Sequence, residues 1–333
     1  MSVAVALAPV LLFLVLLQCM DSFKLVSLRS VIVAIAAGLV AALVCLSLHE
    51  ALLARVQIDP RLFARYVAPV TEEVCKGAFI ALLLWRHRVG FLVDAAVQGF
   101  AIGAGFALFE NIDYLRYLTG AGLDVWIVRG LGTAVLHGAT TAVFAMIAKT
   151  LIDRRAGRPA SALLLGLAAA VAIHSGFNHL LLPPLLMTAV LLLVLPLVII
   201  VVFQRSERVT REWIGAGLDL DLQLLDLVRS DDFKFTRFGQ YLNELRARFD
   251  GPVVADMFCL LRLQLELSVQ AKAMLMVRES GLEVPALTSD LHDSFEEIEY
   301  LQSSIGRTGM LALKPLQITS GRDLWHRHLL ASR

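Results

Sequence analysis

Residues 70–79 read VTEEVCKGAF, and within them Glu72, Glu73 and Lys76 interrupt a stretch, residues 62–85, that is otherwise apolar enough to lie in a bilayer. The surroundings set the fold class. The 333 residues are 58% hydrophobic with a mean hydropathy of +0.72, against roughly 45–50% apolar content in soluble domains. Runs able to cross ~30 Å of hydrocarbon fall near residues 3–20, 31–49, 62–85, 91–115, 125–148, 160–182 and 184–203. The pattern predicts an all-α protein: a polytopic bundle of about seven transmembrane helices over residues 1–203, then an all-α soluble domain over residues 204–333. The first run lacks a basic leader and a small-residue cleavage site, so it reads as a spanning helix rather than a signal peptide.

Charge divides along the same line. Residues 1–203 hold 14 Lys+Arg and 10 Asp+Glu, whereas residues 204–333 hold 16 and 19. A mildly acidic tail without a basic stripe argues against nucleic-acid binding. Lys24 and Arg29, Arg86 and Arg88, Lys149 with Arg154, Arg155 and Arg158, and Arg205, Arg208 and Arg211 all fall on one side of the expected bundle. Basic loops mark the cytoplasmic side, so the N-terminus is expected outside a plasma membrane and the tail in the cytoplasm. The tail shows helical periodicity in Leu218, Leu222 and Leu225 and in Leu260, Leu263 and Leu267, with breaks expected at Gly251-Pro252, Gly281, Pro285 and Gly306. Its amphipathic helices suggest a surface for a regulator or for a second copy. Cys19, Cys45, Cys75 and Cys259 show no metal-finger spacing and read as four buried thiols. Trp325, His326 and His328 read as tail packing or surface.

An ionisable group inside a membrane costs at least ~2.5–3.5 kcal/mol, so such groups usually face the bundle interior and work there. This chain places polar groups on four consecutive helices. Lys76 lies within reach of both Glu72 (i,i+4) and Glu73 (i,i+3). Two adjacent carboxylates in a dry site cannot both ionise cheaply, and Lys76 neutralises one, which leaves the other as a general base. Pro69 frees the Arg65 carbonyl and is expected to bend the helix. The next helix carries Phe106, Glu110, Asn111 and Asp113; the one after it His137 and Thr141; and the sixth His174, Asn178 and His179. At 1.5 Å per residue, Glu72 and Glu73 lie roughly 15 Å below the outer surface, His137 about 18 Å, His174 about 12 Å, Glu110 about 7 Å and Asn178 about 6 Å. One outer-half layer holds them all. Thr141 reads as bonded to its own helix, Gly99 and Gly103 as a close-packing pair, and Asp94 and His87 as solvated.

TEEVCK has the form EExxK, FALFEN the form FxxxE, HGATT supplies a lone intramembrane histidine, and HSGFN has the form HxxxN. In that order on successive helices, over roughly residues 60–180, they resemble the PrsW family of intramembrane proteases. That family is related to the CAAX-prenyl endopeptidase and bacteriocin-processing group, whose motifs are EExxxR, FxxxH and HxxxN/D. The lysine at i+3 and the glutamate of the second motif favour PrsW. The resemblance implies a multi-pass protease that cuts membrane-anchored proteins, anti-sigma factors among them, near the surface of the lipid bilayer. It implies that Glu72 and Glu73 activate the attacking water with Lys76 setting their charge. His137, His174 and Asn178 would then support the water or the oxyanion, and Glu110 would be a second acid/base group or a ligand.

No cofactor is favoured. Glutamate-activated water without metal is the preferred expectation, with an open zinc site of His137, His174 and a glutamate as the alternative; an HExxH helix is missing. A proton-coupled transporter would also place such groups at mid-membrane, but it calls for inverted repeats that the sequence does not show. A signalling scaffold leaves the four polar helices unexplained.

Overall fold

The computed structural model describes residues 2–118, 120–154, 159–280, 282 and 290–316. Arg155, Arg158, Gly281, Pro285, Trp325, His326 and His328 lie outside the described residues. Among those described the chain is helical with no strand, and it divides into two compact units, Met1–Ser206 and Glu207–Arg333.

The first unit is built from α1 (Ser2–Met20), α2 (Leu28–Leu53), α3 (Ala68–Trp85), α4 (Leu92–Tyr117), α5 (Ala134–Arg154), α6 (Pro159–Asn178) and the start of α7 (Pro184–Arg229). Six of these are long and apolar enough to cross a membrane. The one that fails that test on composition is α3, because it carries Glu72, Glu73 and Lys76. Buried residues run along α4 from Val93 to Ala107 and along most of α5. By contrast α1, α2 and α7 turn leucines and valines such as Leu12, Val33 and Leu193 outward, as lipid-facing helices do. Cys45 is buried, but Cys19 lies on the outward face of α1 and is exposed. The expectation of four buried thiols fails there because apolar neighbours do not distinguish a lipid face from a protein core. All four thiols are free.

Helix α4 is the hub, and small residues let its neighbours touch it. A Cβ on Gly103 would sit 2.1 Å from the His137 carbonyl oxygen, and one on Gly99 would sit 2.8 Å from Ala142 Cα. The GxxxG pair therefore brings α4 against α5 within the chain. Asp94, expected to be solvated, is buried: its Oδ2 accepts from Gly90 N (2.8 Å) and Phe91 N (3.2 Å), closing the N-terminus of α4. A carboxylate at that helix end satisfies donors that the hydrocarbon region would leave bare.

Two π-helical segments interrupt the bundle, Phe63–Val67 ahead of α3 and Val128–Thr133 ahead of α5. The first lies where Pro69 removes a donor, and its freed carbonyls are taken by α6. Ser175 Oγ donates to Arg65 O (2.6 Å) and Asn178 Nδ2 to Ala64 O (2.9 Å). The expected bend thus takes the form of a π segment held from across the bundle.

Helix α7 does not stop at residue 203. It continues to Arg229 because residues 204–213, QRSERVTREW, contain neither Gly nor Pro and add an i,i+4 pair, Arg211–Glu207 at 3.0 Å. In the second unit Thr236 caps α8 (Arg237–Leu245), α9 (Gly251–Glu279) opens at the expected Gly251-Pro252 break, and α10 (Asp290–Leu313) is broken at Gly306, where φ is 67°. Its core includes Met257, Leu260, Leu275, Ile298 and Leu313, beside a buried Asp221 that accepts from Ser268 and Lys272, both at 2.6 Å.

Gly103→Ala is expected to destabilise the bundle by about 1–3 kcal/mol through overpacking. Gly176→Ala, whose added methyl meets nothing within 4 Å, should be neutral. Thermal unfolding in detergent checks the pair, and equal melting points would refute the close-approach reading.

Candidate active site

The four polar helices deliver their side chains to one cluster. Glu73 and Lys76 are fully buried and paired through Glu73 Oε1 and Lys76 Nζ at 2.7 Å. The same oxygen accepts from His174 Nδ1 on α6 (2.8 Å) and from Thr140 Oγ1 on α5 (3.0 Å). Lys76 Nζ also lies 3.1 Å from His137 Nδ1. On the other side of that ring, His137 Nε2 is 3.0 Å from Glu110 Oε2 on α4, and Arg129 meets the same oxygen at 3.3 Å.

These contacts fix where the ring protons sit. Glu73 and Glu110 carry only acceptors when ionised, so His174 donates from Nδ1 and His137 from Nε2. The remaining ring nitrogens, His174 Nε2 and His137 Nδ1, lie 3.8 Å and 3.9 Å from Glu72 Oε2, and His137 Nδ1 also accepts from Lys76 Nζ. Glu72 Oε2 is buried and has no hydrogen-bond partner among the described residues. The ligand atoms of Glu72, His137 and His174 all lie within 4.8 Å of one another. The two rings meet edge-on with centroids 4.9 Å apart.

The two glutamates therefore have different surroundings. Glu72 lines a cavity of about 920 Å³, whereas Glu73 is sealed behind it. Adjacent helix residues point about 100° apart, and here Glu72 is the one of the pair that reaches the cavity wall. His137, His174, Glu110, Arg129, Phe106 and Asn178 share the cavity wall with Glu72. Asn178 does not join the carboxylate–imidazole cluster, since its amide nitrogen goes to Ala64. Phe106 packs on it, with its ring 5.1 Å from that of His137 and 4.9 Å from Lys76 Nζ. Thr141 bonds the His137 carbonyl at 2.8 Å, one turn back on its own helix, as expected.

A family model described as "PrsW family intramembrane metalloprotease" matches residues 26–204. The chain belongs to that family. It is a multi-pass membrane protein and an intramembrane protease, a peptidase working on membrane-embedded protein substrates in lipid. No curated protein and no solved structure matches it. The PrsW match contains all seven sequence-predicted site residues and ends within α7. Three further residues of the site gave no sequence signal of their own. Thr140 stands beside the more conspicuous Thr141. Arg129 reads as an outer-loop charge, yet it stacks over Tyr114 at 3.5 Å and donates from Nε to Asn111 (3.1 Å). His49 lies on α2, outside the four polar helices.

Glu73→Gln leaves the buried Lys76 ammonium without its counter-charge and is expected to destabilise the protein by about 3–5 kcal/mol. Glu72→Gln should change stability by under about 1 kcal/mol, since no donor depends on it. Melting of both variants in detergent checks this division, and a Glu73→Gln protein as stable as wild type would remove it.

Proposed function

We propose that the protein cuts membrane-anchored protein substrates, anti-sigma factors being one class, by attack of water in the cavity beside Glu72, with Glu72, His137 and His174 holding a zinc ion. The supporting observation is that a carboxylate oxygen and two imidazole lone pairs converge with no donor bonded to Glu72 Oε2, which is a set of ligands that suits a cation. The family's description as metalloproteases points the same way. Two nitrogens and one carboxylate fit an open zinc site. Zinc bound there would polarise the scissile carbonyl and acidify water.

The rest of the work belongs to the side chains around it. Glu73 holds His174 by its Nδ1 proton and Glu110 holds His137 by its Nε2 proton, so each ring keeps its other nitrogen within 3.9 Å of Glu72 Oε2. Glu110 Oε2 is committed to His137 and Arg129, which leaves Oε1 to take a proton from the attacking water and pass it to the leaving amine. Asn178 and Ser175 hold the π segment from which α3 presents Glu72. The apolar cavity wall, Phe63, Phe109, Val125, Val128 and Phe177 among its residues, excludes bulk water and suits an unwound stretch of a membrane helix.

A second reading rests on the 3.1 Å contact between Lys76 Nζ and His137 Nδ1. There the ammonium already engages the nitrogen that a metal needs, and Glu72 itself serves as the base for water without metal. The orientation belongs to the proposal as well: N-terminus outside a plasma membrane, tail in the cytoplasm, the tail binding a regulator or a second copy.

Purified wild type, Glu72→Gln and His174→Ala, assayed on a panel of single-pass membrane proteins together with metal analysis, separate these readings. The expected result is cleavage by wild type with about one zinc per chain, loss of at least ~100-fold in both variants, and loss on chelation that is restored by zinc. Cleavage indifferent to chelator, by protein without metal, would pass the role to Glu72 as base. If wild type cut nothing across the panel, the protease assignment of this site would fall.

A further inference from the structure

His49 belongs to none of the four motifs, yet it lines the same cavity as Glu72. The Thr71 hydroxyl lies 3.0 Å from both Val67 O and Ala68 O, carbonyls of its own helix. While it donates to either, Thr71 Oγ1 accepts from His49 Nε2, 2.6 Å away. Cys45 Sγ lies 3.4 Å from that same nitrogen, and the ring packs edge-on against Phe63 with centroids 4.9 Å apart. All of these contacts hold one nitrogen and one ring edge. With the ring proton on Nε2, the other nitrogen, Nδ1, carries a lone pair, and it has no hydrogen-bond partner among the described residues.

A membrane helix must unwind before its peptide bonds can be attacked, and unwinding bares backbone N–H groups where no bulk water is at hand to accept from them. A cavity built for that substrate needs fixed acceptors on its wall. We propose that His49 is a substrate-binding residue of the protease, its Nδ1 accepting a hydrogen bond from a backbone N–H of the unwound segment. This rests on the protease reading of the cavity and adds to it a specific contact from α2.

Two amide substitutions separate the two nitrogens. Gln places an amide at the ε position and keeps the bond to Thr71 while losing the δ acceptor. Asn keeps an acceptor at the δ position and loses Thr71. Steady-state cleavage of a single-pass protein that wild type cuts, with melting points measured alongside, is the test. His49→Gln is expected to raise KM roughly 3–10-fold, the worth of one hydrogen bond, with kcat within about twofold of wild type. His49→Asn is expected to keep KM within about twofold while lowering the melting point. A His49→Gln protein with wild-type KM, or an Asn variant whose KM rises as much, would show that His49 serves only to brace Thr71 and would overturn the proposal while leaving the protease reading intact. Should the Asn variant not fold, the Gln variant decides alone. If wild type cleaves nothing, the protease reading fails and this contact fails with it.

Discussion

One carboxylate oxygen, Glu73 Oε1, organises the membrane unit. Lys76 from its own helix, His174 from α6 and Thr140 from α5 all donate to it. In water such a knot would be worth little, because each group would exchange its partner for solvent at small cost. In a bundle closed by lipid each of these groups would be expensive to leave bare. The three helices are thus held in one register by the penalty of breaking any of the contacts, and an apolar interface alone, equally content with lipid, would not impose that register.

Close approach and local irregularity supply the rest of the geometry. Gly103 lets α4 settle onto the His137 carbonyl, which brings Glu110 and His137 within hydrogen-bond reach. The two π segments each precede a helix that carries site residues, and the extra residue in a π turn resets the phase of everything after it. A regular helix from Pro60 to Trp85 would rotate Glu72 and Glu73 away from their present directions. Neighbours meet the loosened carbonyls ahead of α3, with Ser175 and Asn178 donating to them. The HxxxN pattern accordingly has two jobs at its two ends: His174 joins the carboxylate–imidazole cluster, and Asn178 fixes the backbone that delivers Glu72.

How far the sequence could be read follows from what a pattern encodes. Apolar run lengths gave the helices, and polar residues inside those runs gave Glu72, Glu73, Lys76, Glu110, His137 and His174, because burying them in lipid without purpose is too costly. Their division of labour was not legible. Glu72 and Glu73 are adjacent letters, and only the phase set by the π segment decides which one faces the cavity. His49 and Arg129 escaped notice because each sits near a helix end, where a polar residue is unremarkable. Asp94 read as solvated for the same reason. Helix α7 ran past its expected end because composition changes at residue 204 while helix propensity does not. Apart from the α7 boundary, these misses share a cause: each depends on which neighbour lies across the bundle, and spacing along one chain does not carry that information.

The contact between Lys76 and His137 bears directly on the proposed metal site. Lys76 Nζ is shared between Glu73 Oε1 at 2.7 Å and His137 Nδ1 at 3.1 Å. A cation held among Glu72, His137 and His174 would compete with the ammonium for the histidine nitrogen but not for the glutamate. Two positive charges that close in a medium of low dielectric repel strongly, so a metal there would require the lysine to withdraw toward Glu73. Lysine suits this arrangement better than arginine, since its single ammonium can pivot on a flexible stem between partners. The buried Glu73 is what makes such a withdrawal affordable, because it keeps Lys76 paired in either position. The EExxK spacing therefore does more than place two acids and a base on one helix. It sets one glutamate as the lysine's permanent partner and leaves the other facing the cavity, with a neighbouring charge that can move aside.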